Sequence, residues 1–287
     1  MKFIYAFIFV ITIGFSASAQ MDYSINLTPA SEEYSELTWQ GYSALVNLDD
    51  KIVKDVLKDR LKTFGKVQNQ KKFWVVAPAS ISTLSTADVV VYYDKEGKNQ
   101  TKIWMTVHQE GELQDELTQT TLYNLVYEIY EKDLNKKLED AQKEQENLVK
   151  EADKLTRGIE GNENDIKNEE KKLKSSKMLV SKLKKDLIKA ESKRDRAVLN
   201  LKNVSIDKKS DAQKDNEKAM EKVAKTKKKL ISQEENQIDY AKDIRKNEED
   251  IKKGEKDLKE NEKKQVENKE LLNQLVESRK QLVRLKK

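Results

Sequence analysis

The chain of 287 residues contains no cysteine, two prolines and a single histidine. Without cysteine there are no disulfides and no thiolate chemistry, and one imidazole cannot complete a zinc ligand set. Both prolines, Pro29 and Pro78, lie early, so the commonest helix breaker is missing from everything after residue 78. Aromatic residues are as unevenly placed: after Tyr130 the only one is Tyr240. A stretch that long with one ring cannot enclose a conventional core, so residues 131–287 are expected to be an extended helical structure. The chemistry-bearing motifs are missing as well. Gly97-Lys98 is followed by Asn99 and lacks the upstream glycine of a phosphate loop. His108, between strand and turn residues and near Glu110 and Glu112, has no partner for a triad or a metal site. The expectation is a protein that is not an enzyme and carries no cofactor and no metal.

What is abundant is charge and heptad periodicity. From 134 to 204, residues recur at alternating steps of four and three: Leu134, Leu138, Ala141, Gln145, Leu148, Ala152, Leu155, Ile159 and so on to Leu201 and Val204. An average spacing of 3.5 keeps one stripe of a helix facing a partner, which is a coiled-coil seam. A second seam runs from Ala212 through Val223, Leu230, Ile244, Ile251 and Leu258 to Leu282. Continuing the first register would bring Lys208, Asp211 and Asp215 into the seam, so the chain re-phases at a turn over 205–211, with Ser210 and Gln213 as a capping box. Two antiparallel helices are predicted, one over 112–204 and its return over 212–287. Folding the sequence about residue 208 sets Ile166 against Ile251, Leu187 against Leu230 and Ile159 against Leu258. The first arm, at about 1.5 Å per residue, is roughly 105 Å long.

Ahead of the hairpin, residues 1–19 combine one lysine, an apolar run and Ser16-Ala17-Ser18-Ala19, which reads as a signal peptide. No later stretch approaches the ~20 apolar residues that span a bilayer. The mature chain is therefore expected to be exported, periplasmic or secreted in a bacterial envelope, with no transmembrane span. A flexible lead is predicted over 20–36 and a small head domain over 37–130. In the head, a strand near 42–48 precedes a helix whose apolar residues run from Ile52 to Phe64 and stop at Gly65. Strands follow over 73–77, 89–93 and 103–107, the last two as a hairpin, and then the long helix begins near Glu112. The fold class is α+β: a β-α-β-β-β-α head followed by a long antiparallel coiled-coil hairpin. In the third strand Trp104 falls on the face opposite Met105, beside Tyr92 of its neighbour, and the pair is a candidate partner surface of the head.

Charge points to the other candidate. Residues 21–130 hold 11 Lys/Arg against 16 Asp/Glu, whereas 171–232 hold 21 against 8. In the hairpin reading those 62 residues are its turn end, a basic surface suited to an anionic partner, with Lys208, Lys209, Lys227, Lys228 and Lys229 as contacts. Nucleic acid is not expected, because no aromatic residues interleave the basic run. The partner is an unspecified protein or an anionic envelope component, and a homo-oligomer is also compatible with the pattern. An exported protein with a small β-containing body and a basic helical-hairpin arm resembles, in architecture, the Skp/OmpH periplasmic chaperones. Here the hairpin is longer and the body precedes it as one segment. The resemblance implies, as an alternative to a scaffold, a holdase for envelope proteins.

Overall fold

The computed structural model describes residues 23–70 and 72–286. The expected signal peptide lies outside them. Among the described residues seven strands and three α-helices follow in the order β1 (Leu27–Tyr34), β2 (Leu37–Val46), α1 (Asp50–Phe64), β3 (Val67–Gln70), β4 (Phe73–Ile81), β5 (Leu84–Gly97), β6 (Gln100–Gln109), β7 (Glu112–Leu113), α2 (Asp115–Asn203) and α3 (Lys209–Arg284). This is α+β with a helical hairpin. Two compact units divide it: residues to Gln145 together with those from Glu267, and Glu146–Val266.

In the first unit the strands form one antiparallel sheet in the order β1-β2-β6-β5-β4-β3, with β7 paired to the end of β6. The expected hairpin is β5–β6, in a register that sets Tyr92 beside Trp104. Strand alternation sends Ile103, Met105 and Val107 to one face of β6. There they meet Val53, Leu57 and Leu61 of α1 and Leu122, Val126 and Ile129 of α2, all buried. α1 forms where it was read: Asp49 caps it, its side chain accepting from Lys51 N at 3.0 Å, and Gly65 closes it. A Cβ at Gly65 would come within 2.9 Å of Val76 Cγ1.

Several boundaries differ from the sequence reading. The segment expected as a flexible lead contains β1. Its sequence, LTPASEEY, is polar because it is an edge strand, and Pro29 is tolerated there because an edge leaves amide positions unpaired. β3 and β7 carry no strand signal in the sequence, being short and mostly polar. Residues 112–113 pair with β6, so α2 begins at Asp115 and not near Glu112.

The other face of the sheet is covered by the sheet itself. Gly41 of β2 lies so near β6 that a Cβ there would sit 2.5 Å from the Met105 carbonyl oxygen and 3.1 Å from Trp104 Cε2. This close approach accompanies a curl that carries β1 over toward the opposite edge. The Tyr34 hydroxyl donates to Gln70 Oε1 at 2.7 Å, the Tyr34 and Phe73 rings meet edge-on at 5.2 Å, and Lys72 pairs with Glu32 at 3.2 Å. Strands at the two ends of the strand order are thus tied together by side chains.

The hairpin turn is tighter than expected. α2 ends at Asn203, a single 3-10 turn covers Ile206–Lys208, and α3 starts at Lys209, so Ser210 lies inside the helix and does not cap it. Contacts between the helices centre the fold near residue 206, ahead of the expected 208. In the first unit Asn268 donates to Ala141 O at 2.9 Å and to Gln145 Oε1 at 3.2 Å. In the second, Asn261 donates to Glu151 Oε2 at 3.0 Å, and Ser176 to Gln233 O at 3.2 Å. Buried amides satisfied across a seam fix its register at some cost in stability. A Cβ on Gly254 would lie 3.0 Å from Ile159 Cγ1, so Ile159 faces Gly254, one turn before the expected Leu258. Cysteines at Ile159 and Gly254 should therefore form a disulfide within one chain on oxidation, read as a monomeric band of altered mobility. Crosslinking only between chains would instead mean that the helices pair across molecules.

Candidate functional site

The head surface proposed from sequence is not a surface. Trp104 is 0% exposed and Tyr92 7% exposed. With Phe73, Val75 and Val90 they form a second core, into which Ala30, Tyr34 and Trp39 pack. The indole Nε1 of Trp104 donates to the Ala30 carbonyl of β1 at 3.1 Å. Strand alternation does set Trp104 opposite Met105, but a face opposite the helices need not meet solvent when its own edge strand folds over it.

Around this core sits a charged cluster. Glu32 pairs with Lys72 and, at 3.5 Å, with Lys102. The Lys72 ammonium stands 4.6 Å from the Tyr92 ring centroid and 4.9 Å from that of Phe73. Burial pushes the Glu32 carboxyl up, but the hydrogen bonds from Lys72 and Tyr92 and the two lysine charges outweigh it and hold the group below the usual carboxylate range. Burial first, and then Glu32, pushes the Tyr92 hydroxyl up. One carboxylate thus holds two lysines, and the cluster closes the curl. The His108 ring lies against Trp39 with centroids 4.3 Å apart and the planes tilted by 51°, and its Nδ1 lies 3.3 Å from Gly111 O. Among the described residues no group of three or more His, Cys, Asp or Glu side chains is placed to hold a metal ion.

The second unit carries the stronger candidate. The five lysines singled out from sequence do not form one patch. Lys208 and Lys209 lie at the turn, Lys227 pairs with Glu191 at 3.2 Å, and Lys228 and Lys229 line a groove. That groove, about 720 Å³, is bounded by Leu179, Lys182, Leu183 and Asp186 of α2 and by Lys225, Lys228, Lys229, Ser232 and Gln233 of α3. It continues toward the turn into a stretch of about 670 Å³ that adds Lys189, Lys193, Arg196 and Lys222 and shares Leu183, Asp186 and Lys229. It continues away from the turn into a third of about 360 Å³, sharing Leu179 and Gln233 and adding Lys171, Lys172 and Tyr240. Asp186 is the one carboxylate lining the three stretches.

The heptad explains why the charge gathers on one side. Residues just before a seam position, Lys172, Leu179 and Lys193 in α2 with Lys222 and Lys229 in α3, flank the groove. Residues on the other flank cross-pair, Lys184 with Glu234 at 3.1 Å and Lys227 with Glu191. The α2 half of the groove was missed from sequence, although projecting the lysines onto the heptad already separates the two flanks.

Among the described residues no helix is long and apolar enough to cross a membrane. These features define a curled antiparallel sheet with a coiled-coil hairpin bearing a basic groove. The sequence matches no protein-family model, and the search of curated proteins finds no significant match.

Proposed function

We propose that this is an exported, non-enzymatic scaffold protein of the bacterial envelope, in which the head unit is a folded platform and the basic hairpin unit engages an anionic partner. The observation that carries the reading is the charge pattern of the second unit, with 21 Lys/Arg against 8 Asp/Glu over 171–232 and a groove lined by lysines. Export is inferred from residues 1–19, and the ion pairs of Glu32 with Lys72 and Lys102, which tie the curl of the sheet, support a structural role for the head.

The test reverses Lys208, Lys209, Lys227, Lys228 and Lys229 to Glu and measures binding to anionic lipid vesicles and to lipopolysaccharide at low salt. None of the five is a seam residue, so helicity should survive, while binding falls by about a hundredfold or more. Equal binding by the reversed protein would reduce the basic surface to a solubilising coat. A second reading, a holdase, draws on the exposed Met178, Ile188, Met220, Ile231 and Ile238 of the hairpin. It requires suppression of aggregation of an unfolded envelope protein, which a scaffold would not give.

A further inference from the structure

We propose that the groove on one flank of the hairpin unit is a track for a single extended polymer carrying repeated phosphates and read without its bases, if it has any. The proposal rests on the anionic-partner reading above and narrows it to one side of the hairpin and one class of ligand. From Lys171 to Arg196 the track runs about 38 Å along α2 at 1.5 Å per residue. Its cations are densest toward the turn, where Lys182, Lys189, Lys193 and Arg196 of α2 recur at one to two helical turns, and Lys182, Lys189, Lys222 and Lys229 make no ion pair among the described residues.

Four observations select the ligand. The groove is linear and one-sided, since the other flank is closed by Lys184–Glu234 and Lys227–Glu191, and this favours a chain over a planar bilayer. The floor mixes Leu179 and Leu183 with Ser176, Thr226, Ser232 and Gln233, which is too polar to seat the apolar stripe of an acidic helix. Tyr240, at one end, is the only aromatic lining it, so there is no ladder on which bases could stack. The cations are lysines with the single exception of Arg196. Lysine is a compact point charge that meets phosphate from any direction, whereas planar carboxylates are matched by the arginine fork.

The experiment compares the full chain with two variants of identical net charge, using inorganic polyphosphate as the probe. One reverses the groove residues Lys182, Lys189, Lys222 and Lys229 to Glu. The other reverses Lys174, Lys177, Lys185 and Lys214, exposed residues that do not line the groove. Circular dichroism should be the same for all three, because no seam residue changes. Polyphosphate affinity should fall at least a hundredfold in the groove variant and less than about tenfold in the matched one, with binding steeply reduced by salt. Equal losses in both variants would overturn the groove and leave the anionic-partner reading standing, as would wild-type binding to anionic vesicles but not to polyphosphate. Tighter binding of single-stranded DNA of the same charge would overturn the proposal in favour of a nucleic-acid site. A wild type that binds no anionic probe at low salt removes both the groove and the reading it rests on.

Discussion

Trp104→Ala is expected to cost the head unit about 3–5 kcal/mol, a loss large enough to unfold a marginally stable domain. The indole is fully buried, its Nε1 is bonded to the Ala30 carbonyl, and its ring lies 6.2 Å from that of Phe73 and 6.3 Å from that of Tyr92. Removing it empties the space over which β1 folds and leaves a backbone acceptor without its donor. Thermal unfolding followed by near-ultraviolet circular dichroism reads this directly, since every tryptophan of the chain precedes residue 105. Had Trp104 been the exposed partner contact suggested by its strand position, the melting temperature would barely move.

Gly41→Val tests the same curl from the other side. The new Cβ would meet the Met105 carbonyl at 2.5 Å and Thr106 Cβ at 3.0 Å. The first of these is backbone, so the strands must separate and the loss is expected near about 3 kcal/mol, the upper end for overpacking. The two effects share Trp104, 3.1 Å from that Cβ, and are therefore expected to be less than additive. A tolerated valine at 41 would show that β2 and β6 do not approach this closely.

The hairpin was legible because a heptad repeat is local information: each seam residue announces itself within four of the next. The α1 helix was legible for the same reason, with Gly65 marking its end, whereas its N-cap at Asp49 is fixed by the structure. The register between the two long helices was not, since both seams are interrupted by residues such as Asn162, Glu169 and Gly254 that distinguish poorly between pairings one turn apart. The 3-10 turn at Ile206–Lys208 and the amides of Asn261 and Asn268 set it instead. The second core of the head escaped because it depends on a long-range event. Nothing in the sequence of β1 says that it will lie across Trp104, and its glutamates read as solvent-facing until Glu32 is seen between Lys72 and Lys102. The basic site was visible as a count of charges but not as a groove, since that needs both helices in their true register.

The most direct test of the account is to remove the basic part of the hairpin and retain the rest. Excising residues 171–242 and closing the helices with a short Gly-rich turn deletes the whole groove, from Lys171 to Tyr240, and leaves every residue of the sheet in place. The shortened chain is expected to keep the tryptophan emission and melting transition of the full protein while its low-salt binding to anionic vesicles, lipopolysaccharide and polyphosphate disappears. Undiminished binding by the shortened chain would place the anionic contact outside the hairpin unit and overturn the basic groove as the binding site.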